Sequence, residues 1–250
     1  RQLTFNKKDA LLYIDTLSFD KVNGAASALL SSTKIVGLDL HAYLNEQRLK
    51  IDSIQFITSR IFLDQKGSEK DKERKKNTNP ESIDIKYFSS IATEIELNDS
   101  LNSYVINKGK FKVHEFFVKG EIIWDRFFKY AQFATISGED LALPLGDGYQ
   151  VSIDQYDLQH PKNSLTLDNV TLTSDFTADE YSRNLTFQKD WFDVRVDGIT
   201  LSGVDFERAL ASQEFKTEKV LLDGLNALVY RDKAVPFNDA VVKKLPQSML

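Results

Sequence analysis

From Val194 to Arg231 the chain reads VRVDGITLSGVDFERALASQEFKTEKVLLDGLNALVYR. Apolar residues sit at alternate positions, Val194 and Val196 and then Ile199 and Leu201, which is the period of a half-buried strand. The alternation slips by one residue between the two pairs, at Asp197-Gly198. The same slip recurs at Asp223-Gly224, between Val220/Leu222 and Leu225. The unit is thus apolar-x-apolar-Asp-x-apolar-x-apolar. Four earlier copies run over Leu12–Phe19, Leu49–Phe56, Val151–Leu158 and Leu165–Leu172. A one-residue slip would turn the second apolar pair to the opposite face. Each unit therefore predicts a β-bulge or tight corner at Asp-x that returns both pairs to one side. Two-residue type I′ hairpin loops are the rival at Asp197, Asp223 and Asp168, although Thr16, Ser53 and Gln155 in the other copies are poor residues for positive φ.

Around these units the pattern predicts many short strands. Asn23–Ser32 reads as a loop or one helical turn, Lys34–Leu44 as a strand, and Arg60–Leu63 as a returning partner strand. Ile83–Ile85, Ala92–Leu97 and Lys110–Gly120 continue the series, the last entered across a turn signal at Asn107-Lys108-Gly109. Glu121–Gln132 is the most aromatic window and suits strand and helix equally. Leu141–Leu145 is a strand that leads into a turn at Gly146-Asp147-Gly148, and Leu185–Phe192 leads into the stretch from Val194. Asp205 is a fair N-cap for a short helix Phe206–Ser212, and Asp239–Lys244 predicts a final amphipathic helix. The sum is an all-β chain, a long meandering antiparallel sheet curled into a groove or open solenoid, with one or two short helices.

Composition narrows what such a sheet can do. Apolar residues make up 42% of 250, enough for a core, and the length suits a single β-rich region. A net charge of -5 argues against general nucleic-acid binding, which favours a basic face. Without cysteine there is neither a disulfide framework nor a thiolate metal site. Lys66–Pro80 carries six basic and three acidic residues and no apolar side chain, so it reads as a disordered charged insertion loop. No stretch approaches the roughly 18 apolar residues of a membrane span, and no signal peptide is visible. The chain runs from Arg1 to Leu250, inside a plausible helix. It is therefore expected to be excised from a longer protein, whose missing N-terminal part would hold any membrane anchor.

Candidate chemistry is sparse. His41, His114 and His160 have no nucleophile or second ligand at readable spacing and read as surface residues. Asp15, Asp52, Asp154, Asp168, Asp197 and Asp223 recur at one position of the unit. That predicts a row of turn residues rather than the carboxylate pair of a glycosidase. Asp-Thr-Leu at 15–17, Asp-Ser-Ile at 52–54 and Asp-Ser-Leu at 99–101 resemble an O-glycosylation motif of exported Bacteroidota proteins. No catalytic residue, metal site or cofactor is read from the sequence, and the expectation is a non-enzyme.

LLDGLNALVYRDKAVPF at 221–237, followed by KKLPQSML at 243–250, resembles the AsmA-like proteins of the Bacteroidota. The resemblance implies a long twisted sheet forming a lipid-binding groove in the periplasm, anchored in the inner membrane. The implied role is phospholipid transport or outer-membrane maintenance. On that reading Ile14, Leu17, Ile51, Ile54, Ile153, Leu167, Val170, Val196, Ile199 and Leu222 face an acyl chain, and the partner is a phospholipid. The alternative is a structural or adhesive β-rich module with a dry, closed core that binds protein or glycan.

Overall fold

The computed structural model describes residues 3–6, 11–22, 26–64, 80–98, 103–120, 126–212 and 214–238. Among these residues eleven strands follow one another across a single sheet in chain order. They are β1 (Leu3–Asn6), β2 (Leu11–Val22), β3 (Ala26–Val36), β4 (Arg48–Asp64), β5 (Ser82–Asn98) and β6 (Ser103–Lys119). Then come β7 (Ala131–Gly146), β8 (Tyr149–His160), β9 (Ser164–Ser174), β10 (Trp191–Ser202) and β11 (Lys219–Asp223). A twelfth, β12 (Asn226–Tyr230), also pairs with β10, in the same register as β11. β11 and β12 are therefore two halves of one edge strand, interrupted at Gly224-Leu225. The sheet is open, and every extensive strand contact is with a ladder neighbour. Among the described residues no second sheet covers it.

Several strands run further than the sequence pattern suggests. Arg60–Leu63 belongs to β4 itself, and Ile83–Ile85 and Ala92–Leu97 are one strand, β5. β3 begins at Ala26, inside the stretch read as a loop or helical turn. The turn signal at Asn107-Lys108-Gly109 lies within β6, where Lys108 takes φ 52 opposite an irregular stretch of β5. All neighbours are antiparallel except β4 and β5, which run parallel from Arg48↔Ser82 to Asp64↔Asn98. This departs from a purely antiparallel meander. A parallel pair needs a crossover of a dozen or more residues, and the chain between the two strands is long enough to supply one. Residues 65–79, most of the expected insertion loop, lie outside the described residues, as does the helix expected at Asp239–Lys244.

Among the described residues four short helices interrupt the strand pattern: α1 (Leu40–Glu46), α2 (Phe127–Tyr130), α3 (Ala178–Arg183) and α4 (Phe206–Ser212). α1 replaces the end of the strand expected over Lys34–Leu44, because Asp39 caps it by accepting from the Ala42 amide at 2.9 Å. α2 settles part of the ambiguous aromatic window as helix. α4 forms as expected, with Asp205 accepting from the Arg208 amide at 2.9 Å. Leu185–Asp190 is irregular, and β10 starts only at Trp191.

The repeated slip is a corner shared between neighbouring strands. Ile153↔Val170 and Gln155↔Asp168 bracket Asp154 and Asn169 without any change of register, so no residue is extra in either strand. Asn169 has φ 51, and Asp197 stands opposite it on β10. Asp154 also faces Asp140 (φ 56), Asp15 faces Ser32 (φ 52), and Asp52 faces Gly37 (φ 69). One strand thus supplies a left-handed residue and its neighbour an extended aspartate. The hairpin reading is excluded at Asp168 and Asp197, which lie inside β9 and β10. The six aspartates also do not share one role: Asp168 and Asp223 precede the left-handed residue of their strand, and the other four face one.

Candidate functional site: an apolar face ending in a charged cleft

Partners across a ladder point to the same face of a sheet, so the register sorts the expected lipid-facing residues into rows. One row runs Leu17–Leu30–Ser59–Thr93–Gly109 on β2 to β6 and Gly138–Tyr156–Leu167–Ile199–Leu222 on β7 to β11. Four of the ten expected residues, Leu17, Leu167, Ile199 and Leu222, lie in it. The next row holds Ile14, Phe56, Phe111, Ile136, Leu158 and Leu201. Beyond it run Leu12–Ile35–Ile54–Phe88–Val113–Ala134 and then Ile51–Ile85–Phe116–Ala131. Ile153, Val170 and Val196 form a direct ladder on the far side of the corner. All ten belong to this one apolar face, spread over five rows.

Their exposure differs. Ile51, Ile153 and Val196 are buried, at 4%, 6% and 6%. Ile14, Leu17, Ile54, Leu167, Val170 and Ile199 are half-buried, while Leu222 is 48% exposed on the edge strand. The middle of the face is not purely apolar. Ser59, Ser90 and Thr93 are buried and hydrogen-bond one another at 2.6–3.1 Å. Beside them Tyr156 lies across Gly138, where an added Cβ would come 2.2 Å from the phenol oxygen. Burial pushes the Tyr156 phenol above its ordinary pKa.

Along β8–β10 the face has two unlike ends. One is plugged: Phe128 of α2 and Phe206 of α4 stack at 5.2 Å, with Val204, Leu201, Ala134 and Val113 buried around them. His160, expected at the surface, is half-buried here, its ring 5.3 Å from Phe128. His41, on α1 rather than in a strand, and His114 are exposed as expected.

The other end opens into a cleft of about 700 Å³, within the usual size of small-molecule sites. Tyr149, Leu172 and Phe192 lie two residues beyond Val151, Val170 and Val194 on their strands, so side-chain alternation places them on the apolar face. Tyr181 of α3 joins them, its ring 5.8 Å from Tyr149. The rim carries two ion pairs, Lys189 with Asp147 at 3.1 Å and Arg231 with both oxygens of Asp190. Hydrogen bonding to those carboxylates raises the pKa of both Lys189 and Arg231.

Local sequence explains how the walls are held. Asp147-Gly148 is the tight turn between β7 and β8, and Gly148 at φ 73 lies under the Phe176 ring. Trp191 Nε1 donates to the Phe176 carbonyl at 2.9 Å, and the Phe192 amide donates to the Tyr149 hydroxyl at 3.0 Å. Gln188 ties the irregular segment to the chain after β12, donating from its amide to the Pro236 carbonyl at 2.9 Å and from Nε2 to that of Val235 at 2.8 Å. Tyr149, Tyr181, Phe192, Lys189 and Arg231 are absent from the sequence-based set. Thr177-Ala-Asp-Glu180 is a capping box that signals α3, and through it Tyr181. The rim ion pairs join residues about forty positions apart and leave no local signature.

No group of three or more metal-ligating side chains occurs among the described residues, and no described helix is long and apolar enough to cross a membrane. No family model matches the chain, and no curated protein matches it.

Proposed function

We propose that this chain is a non-enzymatic element of the cell envelope that holds or passes lipid acyl chains along the apolar face of its sheet. One observation carries the reading: a largely apolar face, interrupted in its middle by Ser59, Ser90 and Thr93, continues from β2 to β11, and among the described residues no second sheet covers it. At about 4.8 Å per strand, ten strands give a path of roughly 43 Å. That exceeds the roughly 15 Å depth of one leaflet's hydrocarbon, so more than one chain fits end to end. The edge of the face supports the same reading. Val220, Leu222 and Leu225 are 48–58% exposed, a surface that soluble proteins ordinarily cover. A role in outer-membrane maintenance and a periplasmic place belong to this proposal. The test is native mass spectrometry of protein purified without added lipid. The expected spectrum carries adducts with phospholipid masses, and a clean apo mass under conditions that preserve known lipid complexes overturns the reading.

A further inference from the structure

We infer that the cleft at the open end of the face is a headgroup site for zwitterionic phospholipids, its two rim ion pairs separating to take the phosphate and the ammonium. This rests on the acyl-chain reading for the lipid class and adds a site and a preference within that class.

The rim brings two cations, Lys189 and Arg231, and two carboxylates, Asp147 and Asp190, to the mouth of one pocket. Their sum is neutral, so the cleft does not attract a net anion. A zwitterion brings one charge of each sign, so its phosphate bridges the two cations and its ammonium the two carboxylates while the sum stays neutral. The guanidinium presents a fork of donors suited to phosphate oxygens, and the carboxylates receive the ammonium. The floor adds a second attraction, because the faces of Tyr149 and Tyr181 favour a cation within a few ångströms of the ring. A headgroup with phosphate alone satisfies the cations but leaves both carboxylates unpaired beside its negative charge. The location fits an amphiphile as well. Leu172 and Phe192 carry the cleft floor directly into the ladder of Val170 and Val196, so a headgroup at the rim has its acyl chains on the apolar face. At the plugged end Phe128 and Phe206 fill the equivalent space.

The experiment titrates the full chain with three water-soluble probes below their micelle concentrations, following cleft amides by NMR. The probes are dihexanoyl phosphatidylcholine, dihexanoyl phosphatidylglycerol and octyl glucoside. The expected result is a preference of about tenfold for the zwitterion over the anion. The double variant Lys189→Gln/Arg231→Gln should lose about tenfold for phosphatidylcholine, and Asp147→Asn/Asp190→Asn should reverse the order of the two phospholipids. Octyl glucoside should respond to neither. Lys189→Gln alone, at an exposed position, keeps the test open where the Arg231 variant fails to fold. Equal affinities in the wild type, an order unchanged in the folded variants, or no shift of cleft amides overturns the inference. Such failure leaves the acyl-chain reading standing where phospholipid still co-purifies. A preserved zwitterion preference without co-purified lipid would sink that reading and keep the headgroup site.

Discussion

Two identical dipeptides in this chain have opposite structural demands. Gly224 of Asp223-Gly224 holds φ 63, and an added Cβ would sit 2.0 Å from Asp197 Oδ2 across the ladder. Gly198 of Asp197-Gly198 has no positive φ, and its added Cβ would meet only the Asp223 Cβ at 3.8 Å, an ordinary contact. Gly224→Ala should therefore destabilise by about 1–3 kcal/mol, from left-handed strain and the clash together. Gly198→Ala should be neutral or stabilise by about 0.5–1 kcal/mol, because alanine in a strand interior loses less backbone entropy. Gly37→Ala should behave like Gly224→Ala, since its Cβ would meet Asp52 Oδ2 at 2.0 Å. Urea unfolding of the three variants checks this, and Asp197→Ala added to Gly224→Ala should relieve only the carboxylate part of the clash, because the Asp197 Cβ at 2.7 Å and the left-handed strain both remain. Equal midpoint shifts at Gly198 and Gly224 would show that the corner is not built this way. The slip was legible in the sequence because hydrophobic period survives any backbone detail. Which residue of each Asp-x pair turns was not legible, because that depends on the partner strand.

Among the elements, α3 is small yet forms one wall of the cleft. Its Glu180 accepts from the Thr177 amide at 3.0 Å and the Thr177 hydroxyl at 2.8 Å, and the Glu180 amide donates back to that hydroxyl. The hydrogen bonds from Thr177 hold the Glu180 carboxyl below its ordinary pKa. A lowered folded-state pKa means the cap stabilises above the ordinary glutamate value and is lost as pH falls through the folded one. Protection factors of the α3 amides, taken against the intrinsic exchange rate at each pH, should therefore fall selectively in that acid window, and Glu180→Gln should remove the dependence. A second element-scale consequence follows from the parallel pair. Ser82 lies beside Arg48, so the end of β4 at Asp64 and the start of β5 stand roughly 53 Å apart, at about 3.3 Å per residue. Deleting residues 67–79 leaves five peptide steps, a reach of about 18 Å. The deletion should break β4–β5 pairing and lower the melting temperature sharply. A variant as stable as the wild type would mean that the two strands are not parallel. Read from sequence alone, a polar charged segment predicts a tolerant loop, because strand direction leaves no trace in composition. β8, β9, β10 and the helix at Phe206–Ser212 were legible, since alternation and a capping aspartate are local signals. α3 carried an equally local signal in its capping box, and β4–β5 carried none.

For the molecule as a whole, exposure separates packed residues from open ones along the same face. Val196 is 6% exposed within a ladder of Ile153 and Val170, whereas Leu222 is 48% exposed in the row of Leu167 and Ile199. The sequence pattern makes the two equivalent, because alternation reports a face and not what covers each part of it. Val196→Asp places a charge in a packed position without a partner and should unfold the protein. Leu222→Asp changes an exposed edge residue and should shift stability by no more than about 0.5 kcal/mol, about 1–2 °C for a chain of this size. Its effect on bound lipid should be far larger. A carboxylate bordering an acyl chain incurs a desolvation cost of several kcal/mol, which corresponds to a loss of tenfold or more in affinity at about 1.4 kcal/mol per decade. Melting temperature and co-purified phospholipid measured together on the two variants decide the matter. A folded Leu222→Asp protein that has lost its lipid makes the apolar row a binding surface. One that retains a full complement removes that row from the lipid path.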